Sequence, residues 1–490
     1  MPSLGEFAPY IDGQFVRGEG PQLAVENPSD ESVIGQLPAA STSQIQAAIA
    51  AAHTAFHRNE WSTSTASSRV QAVSRMLDYF EARIGDIRRL VMLESGCPIG
   101  SPAMHAQVDL PLRQVRELLS YYLTLPEMEH NPVPLMQRIA PSGAFVDSVK
   151  LHVPVGVVAA ISAYNFPFFL NLWKVVPALI TGNAVVLRPS PLTPYSALLF
   201  GNAADAAGLP RGIFNVIVDA GHEGGVLMTT HPHVDMVTFT GSSPVGERVA
   251  AQAAKGIKRV QLELGGKSAQ IYLPDRIDAA ASAAATVCLT HAGQGCALGT
   301  RIFVPAAAKA SAIDQMASAL SHVVVGDTSD PGTQMGPVIS AAQRERCEHF
   351  VAASVQAGGR VVTGGRRPPH RKRGYFFEPT ILDVPDNSNP AAQEEIFGPV
   401  VCVIGYESVD HAVAMANDSR YGLSGYVYGR DMQQALKVAQ ALRTGTVNVN
   451  GSLLSPYASS GGFGASGIGR ERGLEGLRAY QQLQTLSITN

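Results

Sequence analysis

Residues 156–190 read GVVAAISAYNFPFFLNLWKVVPALITGNAVVLRPS. The first six form a short β-rich run, residues 168–180 carry helical spacing, and AVVLRPS at 184–190 is a second β-rich run ending in turn residues. The alternation continues through FNVIVDA at 214–220 and MVTFTGS at 236–242, with helical segments at 194–207, 222–231 and 245–256. Strand and helix repeated in this way predict βαβ units and a mostly parallel sheet, so the fold class is α/β. A second α/β series follows residue 263, with AQIYL, RIFV, CVIGY, GYVYG and TVNVN as strands and a long alanine-rich helix at 278–291. Upstream, Ile45, Ile49, Ala52 and Phe56 stand at helical spacing behind a Ser/Thr cap in residues 41–57, and another helical pattern runs from about Ser68 to Leu93. Residues 130–156 alternate like strands and predict a projecting hairpin. From Leu483 the C-terminal end alternates apolar and polar residues and predicts an edge strand that pairs with another subunit.

At 490 residues the chain exceeds one growing core, which predicts two or three domains. A hydrophobic fraction of 46%, a charged fraction of 16% and a net charge of -3 describe an ordinary soluble globular protein and exclude a marked preference for nucleic acid. The local basic cluster GGRRPPHRKRG at 364–374 reads as a solvated loop. Five scattered cysteines, with no CxxC pair and no metal-ligand spacing to histidine, predict free thiols, a reducing compartment and no metal site. The N-terminus lacks an apolar h-region and reads as mature protein. Asn165 and Pro167 interrupt the most apolar run, which argues against a membrane span. A soluble, cytoplasmic protein is expected.

The chemistry begins at HAGQGC, residues 291–296. Gly293, Gly295, Ala297 and Gly299 leave the Cys296 sulfur almost free of neighbouring side chains, which lets a carbonyl carbon reach it. Cysteine is also a common small core residue, and Cys288 in the alanine-rich segment reads that way. Glu263 ends a strand-like run before Gly265 and Gly266. It is either a turn residue or, beside a thiol, a general base whose pKa burial would raise. Asn165 in Tyr-Asn-Phe-Pro is either a turn former or an amide donor to an oxyanion. Thr240-Gly241-Ser242 follows a strand and opens a helix, and a glycine recurs at Gly246. This is either a plain βα turn or a pyrophosphate site built on free N–H groups. Arg188 ends the neighbouring strand, where it is an exposed charge or a ribose or phosphate contact.

In order along nearly the whole chain, Asn27-Pro28-Ser29, Glu94-Ser95-Gly96, Asn165-Phe166-Pro167, Phe239-Thr240-Gly241-Ser242, Glu263-Leu264-Gly265-Gly266-Lys267, Gly293-Gln294-Gly295-Cys296, Glu394-Glu395-Ile396-Phe397-Gly398-Pro399 and Ser466-Gly467-Ile468-Gly469-Arg470-Glu471 resemble the NAD(P)-dependent aldehyde dehydrogenase superfamily. The resemblance implies a Rossmann-like nucleotide-binding domain (1–129 and 151–262), an α/β catalytic domain (263–468) and a β oligomerisation arm (130–150 and 469–490), assembled as a homodimer or homotetramer. It implies that Cys296 attacks the aldehyde, that Asn165 and the Cys296 N–H hold the oxyanion, and that Glu263 activates the water that hydrolyses the thioester. Lys174 and Glu471 then match proton-relay positions. NAD, with NADP as the other candidate, would be held by Ser162, Tyr164, Arg188, Ser190, Gly225, Thr240, Gly241, Ser242, Gly246, Leu264, Gly265, Glu395 and Phe397.

Two departures matter. Pro191 stands where relatives commonly carry the acid that binds the adenosine ribose, which opens the choice between NAD and NADP. Ser460 stands where an aromatic often walls the substrate channel. By correspondence that channel is lined by Phe166, Phe169, Leu170, Trp173, Gly295, Ala297, Leu454 and Ser460. Phe166, Phe169, Leu170 and Trp173 at helical spacing would otherwise read as core. No cation occurs among the eight, so the expected substrate is a hydrophobic aldehyde, aromatic, long-chain or terpenoid. The competing readings are a CoA-acylating dehydrogenase, which the presence of Glu263 disfavours, and a non-catalytic binding or structural protein on the same scaffold.

Overall fold

The computed structural model describes residues 7–452 and 454–489. The first six residues, on which the leader reading partly rests, Leu453 in the substrate loop, and Asn490 at the end of the arm lie outside the described residues. Val157–Ile161 and Ala184–Arg188 are apolar almost throughout and buried at every position, as parallel strands covered by helices on both faces must be. They belong to an eight-stranded sheet in which Arg259–Glu263, Met236–Thr240, Val157–Ile161, Ala184–Arg188 and Phe214–Val216 lie side by side and parallel. Chain order runs outward from Val157–Ile161 in one direction and returns on its other side at Met236–Thr240. The crevice between the carboxyl ends of those two strands is therefore the topological switch point, where open α/β sheets bind ligands.

The connecting helices are Pro167–Ile180, Tyr195–Ala207, Glu223–Thr230 and Ser243–Ala254. Pro167 suits the first turn of its helix, where a missing N–H costs nothing. All of that helix except Phe169 is buried, so its apolar residues cover every face and Asn171 and Lys174 are its two interior polar groups. At the far edge of the sheet Gly467–Ile468 runs antiparallel to Arg259–Glu263, pairing Gly467 with Glu263. This short pairing brings the residues after 468 to the inner end of the crevice.

The second sheet has seven strands in the order Arg360–Thr363, Thr380–Asp383, Val400–Tyr406, Arg301–Pro305, Ala269–Tyr272, Ser424–Tyr428 and Thr446–Val449, all parallel except the first. Apolar clusters cover both of its faces. A third, antiparallel sheet joins Met128–His130, Val146–Pro154 and Gln481–Thr489. Among the described residues no helix is long and apolar enough to cross a membrane.

Two local expectations change. The helical pattern from Ser68 to Leu93 is two helices, Ala66–Glu81 and Ile84–Ser95, broken at Arg83 with φ -122°. The apolar period carries across the break, and Gly85, the one glycine nearby, sits in the first turn of the second helix and not at the break itself. The alanine-rich helix expected at 278–291 is a 3-10 segment, Pro274–Ser282, followed by a short helix, Ala283–Leu289. Alanine's propensity is overridden there by a kink at Arg276 (φ -132°) and by the turn that must present the cysteine loop. The C-terminal strand takes one ladder partner within its own chain, Gln481 opposite Pro154 through Thr489 opposite Val146, and remains the edge strand of that sheet, with its other side open to a further strand. Alternation shows that a strand needs a ladder partner and is silent about which one.

Candidate active site

Cys296 is carried by the turn that follows Ala283–Leu289. His291, Ala292 and Gly293 take φ 50°, 51° and 73° in succession, a left-handed run that costs roughly 1–2 kcal/mol for each residue bearing a Cβ. Gly293 is required here, because a Cβ on it would lie 2.0 Å from the Gly398 carbonyl oxygen. Gln294 pins the strained turn: its Nε2 donates to the His291 carbonyl at 3.1 Å and its Oε1 accepts the Ile339 N–H at 2.9 Å. The Gln294 carbonyl in turn accepts from Asn165 Nδ2 at 2.9 Å. One amide thus ties the end of the first βα unit to a point two residues before the sulfur. The second proton of Asn165 Nδ2 remains for another acceptor.

Of the five cysteines only Cys296 is not fully buried, and all five are free thiols. Its pKa is pushed up to about 12, first by desolvation and then by the carboxylates of Glu395 and Glu263, against the N–H groups of Cys296 and Ala297 that face the sulfur. The thiol is therefore protonated at neutral pH, and its nucleophilicity depends on a base.

Glu263 ends the Arg259–Glu263 strand. Burial and the charge of Glu471 hold its carboxyl well above the usual range, against Lys174 and Arg470. Its Oε1 is buried without a hydrogen-bond partner among the described residues, and a Cβ on Gly461 would come within 2.9 Å of it. Behind it, Lys174 Nζ donates to Glu471 Oε1 at 2.7 Å and to Thr238 Oγ1 at 3.0 Å, with no part of the lysine exposed. A buried carboxyl with its proton affinity raised, within electrostatic reach of a protonated thiol, is an arrangement suited to general-base activation.

The expected cofactor residues lie along the carboxyl ends of five adjacent parallel strands and at the helix starts that follow them. Ser162 and Tyr164 follow the first strand, Arg188 and Ser190 the second, and Thr240, Gly241 and Ser242 the Met236–Thr240 strand. Gly246 sits in the first turns of its helix, where a Cβ would be 2.4 Å from Leu264 Cδ2. Gly225 lies against Arg188, whose Cζ would be in van der Waals contact, 3.8 Å, with a Cβ built there. Glu395 reaches across from the other domain. Its Oε1 accepts the Gly266 N–H at 2.9 Å, and burial raises its carboxyl to about 7. Phe397, at φ 63°, packs its ring edge-on to Tyr164 at 6.1 Å. Thr240 Oγ1 is buried and lacks a hydrogen-bond partner among the described residues. An unpaired hydroxyl and helix N-termini at a switch point fit a dinucleotide.

The channel residues form an aromatic run along one helix face, Phe166 against Phe169 at 6.2 Å and Phe169 against Trp173 at 6.3 Å. Gly295 and Ala297 flank the sulfur, Ser460 bonds through its main chain to Glu471, and Leu454 is half-buried on the loop after Thr446–Val449.

Several residues of the site carried no signal beforehand. Thr238, the second partner of Lys174, alternates with its neighbours in a strand and was detectable only by that. His291 is buried against Phe166 at 5.7 Å, with both ring nitrogens unpaired among the described residues and its pKa lowered by burial to about 4. Arg472 lays its guanidinium over the Trp173 ring at 4.9 Å, and its Nε and Nη2 are buried without partners among the described residues. The channel wall thus touches a cation that the eight expected positions did not include. Asp219 ends FNVIVD and holds Arg188.

The model of the aldehyde dehydrogenase family matches residues 15–486. The chain belongs to the aldehyde dehydrogenase family. It is 37% identical to a geranial dehydrogenase of Castellaniella defragrans, over 97% of this chain and 98% of the relative, and 34% identical to a chloroplastic betaine aldehyde dehydrogenase of Beta vulgaris, over 98% and 95%. A betaine aldehyde dehydrogenase of Staphylococcus aureus, solved with NAD+, superposes with a TM-score of 0.93 at 33% identity, covering 98% of this chain and 95% of that one. An aldehyde dehydrogenase of Pseudomonas syringae, solved as a cysteine-to-alanine variant with NAD+ and octanal, gives a TM-score of 0.92 at 34% identity, covering 99% and 97%. The protein is an oxidoreductase, an NAD(P)-dependent aldehyde dehydrogenase with the family's α/β fold.

An aldehyde dehydrogenase with this electrostatic arrangement should show a thiol that is slow at neutral pH. Alkylation of Cys296 by iodoacetamide, followed by intact mass, is expected to accelerate continuously from pH 7 to pH 10 without a plateau. Glu395→Gln removes a negative charge that disfavours the thiolate, so it is expected to speed alkylation several-fold at pH 8. A rate already at its plateau at pH 7 would contradict the raised pKa.

Proposed function

We propose that the chain oxidises a mainly apolar aldehyde to the carboxylic acid, with NAD as hydride acceptor and a covalent intermediate on Cys296. The observation that carries this reading is the Gln294 pin, which holds Asn165 and the cysteine turn in one frame while Glu263 keeps an unpaired buried oxygen. Glu263 takes the thiol proton as Sγ adds to the aldehyde carbon. The resulting oxyanion accepts hydrogen bonds from the Cys296 N–H and the free Asn165 amide proton. Bound NAD supplies the acceptor for the hydride that leaves this carbon as its carbonyl re-forms, giving a thioester. Glu263 gives the thiol's proton up to solvent and, again a carboxylate, takes a proton from water as the water oxygen adds to the thioester carbon; the sulfur leaves with that proton from Glu263 as the acid departs. Lys174 favours the carboxylate form of Glu263 and Glu471 disfavours it, so the pair sets the balance between the two forms. Retention of Glu263 favours water over CoA as the acceptor.

The residues that would hold NAD are those gathered at the strand ends, with Glu395 and Phe397 on the nicotinamide side. The two parallel sheets act as nucleotide and catalytic halves with the site between them. The four free, buried cysteines suit a reducing cytoplasm. The arm exposes Leu135, Met136, Ile139, Phe145 and Leu483 and keeps an outer strand edge, which supports assembly into a homodimer or homotetramer. Phe145→Glu is expected to lower the oligomeric order seen by size-exclusion chromatography with light scattering; an unchanged mass would argue against the arm as the interface.

The apolar aromatic wall, and likeness to a geranial dehydrogenase and to a protein solved with octanal, support an apolar substrate. Arg472 favours a second reading, an apolar aldehyde with a hydrogen-bond acceptor such as a carboxylate at its far end, because buried guanidinium N–H groups without partners are costly.

In steady-state assays at A340, Cys296→Ala should abolish turnover. Glu263→Gln, which removes the base from both steps, should lower kcat by about 10²–10³-fold without a fast burst of NADH, and Asn165→Ala should lower kcat by a similar factor of about 10²–10³. If succinic semialdehyde or betaine aldehyde outperformed every apolar aldehyde in kcat/KM, the apolar reading would fail.

Comparison of octanal with the semialdehyde acid of equal length separates the two substrate readings. If Arg472 serves an acceptor, Arg472→Met lowers the acid-to-octanal ratio of kcat/KM and Arg472→Lys partly restores it. An unmoved ratio leaves the purely apolar reading.

A further inference from the structure

Arg188 ends the second strand of the first βαβ unit, the position from which dinucleotide folds read the adenosine ribose: an acid there favours a free 2′-hydroxyl, and an arginine favours a 2′-phosphate. No acid follows on the same loop, which reads Pro189-Ser190-Pro191-Leu192-Thr193. By sequence alone, Arg188 is therefore set to receive a phosphate. The structure gives it another partner. Ile217 N–H donates to the Leu187 carbonyl at 2.9 Å, which sets the end of the third strand beside Arg188. Two residues further on, Asp219 Oδ1 lies 2.6 Å from Arg188 Nε. Arg188 is 9% exposed and Asp219 5%. The contact is a charge pair without an aligned hydrogen bond, since neither atom has a hydrogen-bond partner among the described residues.

Both members are held from elsewhere. Arg188 Nη2 donates to the Gly221 carbonyl at 2.7 Å, and Asp219 Oδ2 accepts the Gly224 N–H at 3.1 Å. Gly224 has no room for a side chain, because a Cβ would lie 2.3 Å from Asp219 Oδ2 and 2.7 Å from Ile45 Cδ1. The next residue, Gly225, lies against the guanidinium, with Arg188 Cζ 3.8 Å and Nε 3.9 Å from a built Cβ.

We infer that Asp219 selects NAD over NADP: it neutralises Arg188 and places a carboxylate at the strand end where a 2′-phosphate would arrive. This rests on the nucleotide reading of the cleft. Asp219 acts through Arg188 and through its field, so it is a positioning residue. A phosphate carrying about two negative charges meets like charge from Asp219 and cannot recruit Arg188 without breaking the pair.

The test is binding, independent of turnover. Isothermal titration of the purified chain with NAD and NADP, backed by competition with 5′-AMP and 2′-AMP, is expected to give the wild type tighter binding of NAD by about tenfold or more. Asp219→Asn keeps an acceptor for the Gly224 N–H and removes the charge. It is expected to tighten NADP by about tenfold while changing NAD less. In the double variant with Arg188→Gln the NADP gain should vanish, which a merely structural role for Asp219 would not produce. Equal affinity of the wild type for NAD and NADP, or an unmoved NADP-to-NAD ratio in Asp219→Asn, would overturn the inference while leaving the nucleotide site intact. Failure of both nucleotides to bind would overturn the nucleotide reading itself.

Discussion

A lysine and a glutamate meet inside this protein, and the catalytic half of the site depends on their meeting. Lys174, on a helix buried on nearly every side, reaches Glu471, which arrives from the opposite end of the chain through the two-residue pairing of Gly467–Ile468. A buried ion pair gains little net stability, because desolvating both charges offsets their attraction; breaking one is costly because the survivor is stranded. The pair therefore acts as a position-fixing device. It holds the C-terminal segment against the nucleotide sheet, and Glu471's charge raises the pKa of Glu263.

From that arrangement follows the electrostatic character of the site. Its three acidic groups are kept in apolar or like-charged surroundings, so Glu263 and Glu395 have raised pKa values and Cys296 stays a thiol. A preformed thiolate would be reactive toward any electrophile. A thiol with an adjacent base becomes nucleophilic only as its proton is taken, which ties reactivity to an occupied site. The strained turn at His291–Gly293 presents the sulfur in the open, and Gln294 keeps the turn from relaxing.

Much of this was legible in the chain. Alternating β-rich and helical runs gave the parallel sheet because strands covered on both faces must be apolar throughout and strand ends must turn. Cys296, Asn165 and Glu263 stood out because each is a reactive or polar type in a setting with little structural use for it. The break at Arg83 has only Gly85, two residues on, to mark it, and the shortened helix near 283 was not legible, since its alanines continue the pattern. Thr238, His291, Asp219 and Arg472 were hidden for a different reason: each acquires its meaning from a partner far away in sequence.

The sequence by itself determined the α/β class, the reactive thiol and the strand ends where a nucleotide would lie, because periodicity and turn chemistry are local properties. Tertiary structure alone decided the charge state of those groups and the use made of them. Arg188 reads locally as an exposed charge or a ribose or phosphate contact and is buried against Asp219 once two strands lie side by side. The C-terminal strand reads as an edge strand, and the fold supplies its inner partner, Val146–Pro154, while leaving its outer edge open. Burial and electrostatic pairing depend on distance in space, and only the folded chain sets those distances.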